Sequence, residues 1–339
     1  MKSLLAILFA VVLLPAVSAR AGGSGLTVTA SVRGPDGWWD YASFDPVRRR
    51  VYIAHGDAVM MIAADSGRVT PDFAAGDHLH AVVPVPGTDR IVTTNSGDDS
   101  AKVVDARTGR LLASIPASRD SDAAVWDPVT RRVAVIGGDS GVITLIDPIA
   151  LRAGRRIATG GPLEFAAPDG RGGLFVNAPA THEIIHVELR SGRIVARYTM
   201  PGCTRPTGLA LTAGGKLVSA CGNGRAEILR AADGEVLASL SIGAGPDAVI
   251  YDARRRLALI PSGRTGTLAV IALNGPAADT VVEAVPTALG ARTGALDPRT
   301  GRVWLPTASF VLPAPEGQRP KMIPGSFRVI VLDRVRRRG

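Results

Sequence analysis

Asp127-Pro128-Val129-Thr130-Arg131-Arg132-Val133-Ala134-Val135 is a short polar turn that runs straight into apolar residues, and it recurs along the chain. The other copies are Asp45-Pro46-Val47-Arg48-Arg49-Arg50-Val51-Tyr52-Ile53, Pro86-Gly87-Thr88-Asp89-Arg90-Ile91-Val92 and Asp169-Gly170-Arg171-Gly172-Gly173-Leu174-Phe175-Val176. They continue with Ala213-Gly214-Gly215-Lys216-Leu217-Val218, Asp252-Ala253-Arg254-Arg255-Arg256-Leu257-Ala258-Leu259 and Asp297-Pro298-Arg299-Thr300-Gly301-Arg302-Val303-Trp304-Leu305. The strand-opening residues Val51, Ile91, Val133, Leu174, Leu217, Leu257 and Val303 are spaced by 40, 42, 41, 43, 40 and 46. Seven copies at so regular a spacing identify a repeat architecture before any single residue is considered.

Each copy holds four strand-sized runs. In the third they are Ala123–Trp126, Val133–Ile136, Val142–Ile146 and, after a longer turn, Arg156–Ala158. The third run ends in turns such as Asp65-Ser66-Gly67-Arg68 and Asp105-Ala106-Arg107-Thr108-Gly109-Arg110, where Asp bonds its own turn and Gly accepts a positive φ. Short strands separated by frequent turn signals read as an all-β fold. Four strands per repeat of about 42 residues read as a seven-bladed β-propeller of four-stranded blades. The seventh copy runs out after Arg328–Asp333. Its missing fourth strand is expected from Leu26–Arg33 at the other end, which closes the ring and removes an exposed edge.

These residues resemble the YVTN-type β-propeller repeat, and in particular the periplasmic YncE-like proteins. Arg205-Pro206-Thr207-Gly208-Leu209-Ala210-Leu211-Thr212-Ala213-Gly214-Gly215-Lys216-Leu217-Val218-Ser219-Ala220 and Lys102-Val103-Val104-Asp105-Ala106-Arg107-Thr108-Gly109 follow its pattern. The second-strand Asn survives as Asn95 and Asn177 but not at Gly137. The resemblance spans residues 25–335 and implies the fold more sharply than the function. Similar blades occur in binding proteins, lactonases and the large subunits of amine dehydrogenases. YncE-like members also imply an expectation of nucleic-acid binding.

At 46% hydrophobic and 20% charged, the 339 residues have enough apolar surface for a core, which excludes disorder. Residues 1–21 read as a signal peptide: Lys2 precedes the apolar run Leu4–Val17, and small residues follow, with cleavage near Ala19 or Ala21. The mature protein, residues 22–339 as one domain, is therefore expected in the periplasm. Its formal charge, 37 cations against 30 acids once Lys2 and Arg20 are gone, is +7. Such a charge permits nucleic acid as a partner, but the arginines fall largely at repeated turns, with one dense cluster at Arg334, Arg336, Arg337 and Arg338. A monomer with no transmembrane segment is expected.

Aligning the copies places one polar residue per blade just before the inner strand: Asp40, His80, Asp122, Glu164, Thr207, Asp247 and Arg292. These are the candidate ligand-binding residues of the channel mouth. Either they are solvated and chemically idle, or they bind a small polar or cationic ligand. His80, Asp122, Glu164 and Asp247 form a candidate set for a divalent cation, the one cofactor in view. Trp38 and Trp39 form either an aromatic platform at the mouth or packing between blades, and Trp39 joins the candidate set. Arg292 and Asp40 are expected to face each other as an ion pair.

Cys203 and Cys221 are expected to form a structural cross-strand disulfide in an oxidising compartment. His55, His182 and His186 read as surface residues. Gly138-Asp139-Ser140-Gly141 reads as a turn, not a nucleophile elbow. The stretch 307–325 interrupts blade seven as a Pro-rich insertion, with Pro306, Pro313, Pro315, Pro320 and Pro324 expected to keep it out of strands. It either covers one channel face or is merely tolerated.

The reading that follows is a non-catalytic periplasmic binding or interaction protein with an unknown small ligand or protein partner. The alternative is a metal-assisted, lactonase-like hydrolase with its cation in the mouth. A quinone-dependent dehydrogenase subunit lacks a supporting motif.

Overall fold

The computed structural model describes residues 24–312 and 320–335, so the expected signal peptide, residues 1–21, lies outside the described residues, as do the middle of the insertion and the last four residues. The described chain forms seven antiparallel sheets of four strands each, with no helix. Blade one is Trp39–Asp45, Arg50–His55, Ala58–Ala63 and Val69–Ala75, ordered from the channel outward. Blades two to six repeat that order. Blade seven combines Ala295–Leu296, Val303–Thr307 and Arg328–Arg334 with Leu26–Arg33, which pairs antiparallel to the last of these from Leu26↔Arg334 to Arg33↔Arg328. The N-terminal strand thus completes the ring.

Burial follows blade position. The two middle strands of each blade are apolar on both faces because each sheet is covered by a blade on either side: Val133, Ala134, Val135 and Ile136 are all inaccessible to solvent. The fourth strands alternate, as in Arg152–Ala158, because one edge meets water. That strand starts four residues earlier than the sequence indicated. A register shift between Thr144 and Ile146 lets it pair through Arg152 and Ala153, polar positions that carry no apolar signal.

Three local expectations need correction. Pro306 lies inside a strand, paired with Val329; its missing N–H costs nothing because the inner strand beside it ends at the Ala295↔Trp304 pair. The insertion also begins and ends as a ladder, with Phe310 bridged to Met322 and the Val311 N–H donating to the Lys321 carbonyl at 2.8 Å. Its central prolines, Pro313 and Pro315, lie outside the described residues. His55 is no surface residue: it is 7% exposed, with its ring edge-on to Phe327 at 4.6 Å. His186 is half-buried, stacked on Phe175 and bonded to Asp169 at 3.1 Å, whereas His182 is exposed.

Cys203 and Cys221 are disulfide-bonded with Cα atoms 5.3 Å apart. They are not cross-strand partners, since Cys221 pairs with Pro206 and Cys203 sits in the turn before the inner strand Pro206–Leu211. Gly138–Gly141 falls in the turn between Arg132–Gly137 and Val142–Asp147, as its glycines require.

Candidate site at the channel mouth

The inner strands deliver the seven aligned residues to one end of the channel by a repeated backbone device. Asp40, His80, Asp122 and Thr207 each occupy the second position of their inner strand; Glu164, Asp247 and Arg292 precede theirs. In blades one, two, three and five the ladder slips at that point, between Trp39 and Ala42, Leu79 and Val82, Ser121 and Ala124, and Pro206 and Leu209. A bulge of this kind re-aims side chains that strict alternation would bury in the sheet. Two residues before the aligned position the chain turns through positive φ at His78, Asp120, Arg205, Gly245 and Gly290. That common turn ties the register of five blades together.

Neighbouring blades are clasped at the same level. Thr293 Oγ1 donates to the Asp40 carbonyl at 2.7 Å, Asn177 Nδ2 to the Thr207 carbonyl at 2.7 Å, and Thr94 Oγ1 to the Asp122 carbonyl. Thr207 does the same, donating to the Pro246 carbonyl at 3.1 Å, so its hydroxyl joins blades rather than facing a ligand. Trp39 likewise packs between blades, 5% exposed and 5.3 Å from Phe327, and this excludes it from the mouth. The aromatic at the mouth is Trp38, stacked on His78 at 4.8 Å and edge-on to His80 at 5.0 Å.

The charged residues form a chain across five blades. Arg292 Nε donates to Asp247 at 2.9 Å, and its Nη2 lies 3.8 Å from Asp40, so the expected pair with Asp40 is present but Asp247 is the closer partner. Its other donor reaches the Trp39 carbonyl at 2.8 Å. His80 Nδ1 lies 2.8 Å from Asp40 and 3.3 Å from Asp122, and its Nε2 lies 2.9 Å from Ser96 Oγ. Asp40, His80 and Asp122 each offer a ligand atom within 4.8 Å of the others. The compact group whose geometry could hold an ion is therefore this triad, which shares His80 and Asp122 with the set read from the sequence, adds Asp40, and does not include Glu164 or Asp247.

Four carboxylates share a mouth with the Arg292 guanidinium and the His80 imidazole, with Arg205 acting more weakly on Glu164 and Asp247, and their protonation reflects it. Burial, and then the charge of Asp40, push Asp122 up to about 7, against the opposing pull of His80. Burial raises Asp247 to about 6 despite Arg292. Burial and the charges of Asp122, Asp247 and Asp40 hold Glu164 well above the usual carboxylate range. Burial works against protonated His80, but the Asp40 bond and the charges of Asp122, Asp40 and Asp120 outweigh it, and its pKa rises.

The floor of this mouth is Tyr41, which sequence reasoning missed. It belongs to blade one yet meets Phe165 of blade four, centroid to centroid at 4.9 Å, so the two rings span the channel. Ala81, Ala123, Leu163 and Ala166 pack in the same cluster. Burial, and then all four mouth carboxylates, raise the Tyr41 hydroxyl well above its ordinary pKa of 10. The mouth is a blind cup: acidic walls, an aromatic floor and Trp38 at the rim.

A second groove, lined by Asp45–Arg48 and Pro84–Asp89, opens at the other end of the inner strands. Its walls are chiefly Pro and Val, and Arg48 crosses it by bonding both Asp45 and Asp89, so it lacks convergent free polar groups.

No family model matches the chain, and no curated protein is significantly similar in sequence. Solved structures share its architecture. A chain of Kuenenia stuttgartiensis hydrazine synthase is 16% identical, with a TM-score of 0.69 over 86% of this chain and 95% of that one. A chain of the mitotic checkpoint complex is 15% identical, with a TM-score of 0.73 over 99% of both. At such identities the likeness establishes the seven-bladed β-propeller fold alone. The described residues include no helix long and apolar enough to cross a membrane.

Proposed function

We propose that this chain is a non-catalytic periplasmic binding propeller of the YVTN, YncE-like kind, whose channel mouth takes a small cationic ligand. The observation that carries the reading is the imbalance of the cup: Asp40, Asp122, Glu164 and Asp247 converge above an aromatic floor, Arg292 and His80 pair with them directly, Arg205 adds a weaker pull on Glu164 and Asp247, and burial still holds Asp122, Glu164 and Asp247 above the ordinary carboxylate range. A desolvated carboxylate in such a place gains most from an added positive charge. The same sign disfavours phosphate, so nucleic acid is not the ligand of the mouth even though the chain as a whole is basic. A leader-like N-terminus and the Cys203–Cys221 bond support a periplasmic location. That one structural neighbour sits in a multiprotein complex supports a use of the outer surfaces for a protein partner.

The test is a thermal-shift panel on the processed protein with spermidine, Ca²⁺, Zn²⁺, citrate and a neutral sugar. Cations should raise the melting temperature, by an amount reduced in Glu164→Gln and Asp247→Asn, while citrate should not. Stabilisation by citrate or the sugar with none by any cation would overturn the reading.

A metal-assisted hydrolase is the second reading, favoured by one observation, the Asp40–His80–Asp122 group. Lactone turnover that requires added metal and disappears in Asp122→Asn would establish it.

A further inference from the structure

The triad, not the whole ring, is the element built for an ion, and this deepens the cation-binding reading on which it rests. The three ligand atoms come from the second positions of three successive inner strands, Trp39–Asp45, Leu79–Val85 and Ser121–Asp127, rigid elements whose bulges fix the side-chain directions. His80 Nδ1 stands 2.8 Å from an Asp40 oxygen and 3.3 Å from an Asp122 oxygen. The 3.3 Å separation is that between neighbouring ligands around an ion with bonds of about 2.0–2.2 Å, and the 2.8 Å hydrogen bond to Asp40 would open by a few tenths of an ångström to match it. The other ring nitrogen is already engaged with Ser96 Oγ at 2.9 Å, the outer contact that orients a metal-binding imidazole, so that an ion would take the place of the proton Nδ1 shares with Asp40.

The surroundings point the same way. Tyr41 is 7% exposed and packs on Phe165 at 4.9 Å beside the group, so the triad stands over an aromatic floor from which water is largely excluded, where an added positive charge gains most.

We propose that Asp40, His80 and Asp122 bind one divalent transition-metal ion of the zinc class at the channel mouth, with Ser96 positioning His80. One imidazole and two carboxylates suit that class, whereas calcium and magnesium prefer oxygen alone. Three protein ligands leave a coordination position open toward the cup, where Glu164 and Asp247 remain to receive the rest of a ligand.

The experiment is titration calorimetry with ZnCl₂ on the processed full-length protein after EDTA dialysis, with cobalt substitution as the spectroscopic counterpart. One ion per chain is expected, and Co²⁺ should give a visible d–d absorption. His80→Ala and Asp122→Asn should each weaken zinc binding at least 100-fold, and Ser96→Ala about 10-fold, in the range that outer-sphere partners contribute. His186→Ala, which removes the His186–Asp169 pair, should change nothing. Asp122→Asn keeps size and polarity, so its melting curve separates lost binding from lost folding. Absence of zinc binding at 100 µM, or binding indifferent to both His80→Ala and Asp122→Asn, overturns the proposal. If zinc fails while spermidine still stabilises the protein through Glu164, the metal site falls and the cation-binding reading stands; if both fail, both fall.

Discussion

Replacing Tyr41 with alanine removes the floor of the cup, and the structure fixes what that should cost. The side chain is 7% exposed and faces Phe165 across the channel, while its flanking neighbours Ala81 and Ala123 are too short to close the gap. Aromatic-to-alanine changes at such sites cost about 3–5 kcal/mol. Water entering from the polar mouth relieves part of the cavity cost, which places the expected loss near 3 kcal/mol. With an unfolding entropy of about 2.1 cal/mol/K per residue over roughly 300 residues, that corresponds to a fall of about 5 °C in melting temperature. Tyr41→Phe keeps the ring and removes only the hydroxyl, so it should melt within about 1 kcal/mol of the parent. Calorimetric melts of the three proteins at one pH decide the matter. A Tyr41→Ala loss below about 1 kcal/mol, or a Tyr41→Phe protein as damaged as Tyr41→Ala, would show that the ring does not plug the channel.

Glu164 should make stability depend on pH in a particular sense. Its folded-state pKa lies above its ordinary 4.5, so the folded protein holds that proton more tightly than the unfolded chain. Stability is therefore withdrawn as the pH rises from 4.5 through the folded value, and Glu164→Gln should melt higher than the parent at pH 8 and level with it at pH 4. Equal differences at both pH values would contradict this assignment. Cys203 and Cys221 close a segment with a sequence separation of 18, for which the chain-entropy account gives about 3 kcal/mol. The double Ser variant, or the parent under dithiothreitol, should melt about 5 °C lower; unchanged melting would show that the bond contributes nothing to stability.

The blades were legible because their signal is repeated seven times and rests on turn chemistry, where Asp, Pro and Gly act locally. Closure was legible because an orphan strand at one end matched a vacancy at the other. The mouth residues were found through the same register, but their partners were not. Whether Arg292 lies closer to Asp247 or Asp40 depends on the curvature of the ring, and the gathering of Asp40, His80 and Asp122 depends on which inner strands bulge. The sequence left Trp38 and Trp39 with the same two alternatives, and the fold divides them, Trp38 to the mouth and Trp39 to the packing between blades, because neighbouring residues of an extended chain point to opposite sides. A signal for Tyr41 did exist. The residue after each aligned position is Ala81, Ala123, Gly208, Ala248 or Thr293 in five blades, and Tyr41 and Phe165 in the other two. Two large side chains among five small ones at a shared level are what it takes to fill a channel from opposite sides. The burial of His55 carried no such signal, because Phe327, which covers it, arrives from the far end of the chain.

The pairing of Leu26–Arg33 with Arg328–Arg334 also sets the order in which this protein can be made. The first described strand is synthesised some three hundred residues before the strand that receives it, and until then neither blade seven nor the ring is complete. Six blades can assemble as neighbours meet, each step closing only a short loop, but the last step must join the two ends of the molecule. Its entropic cost grows only with the logarithm of that distance. The rate of final maturation should therefore be governed by how soon the C-terminal strand becomes available. Anything that delays the last twenty residues leaves a nearly finished ring with two open edges, the form of this protein most exposed to mispairing.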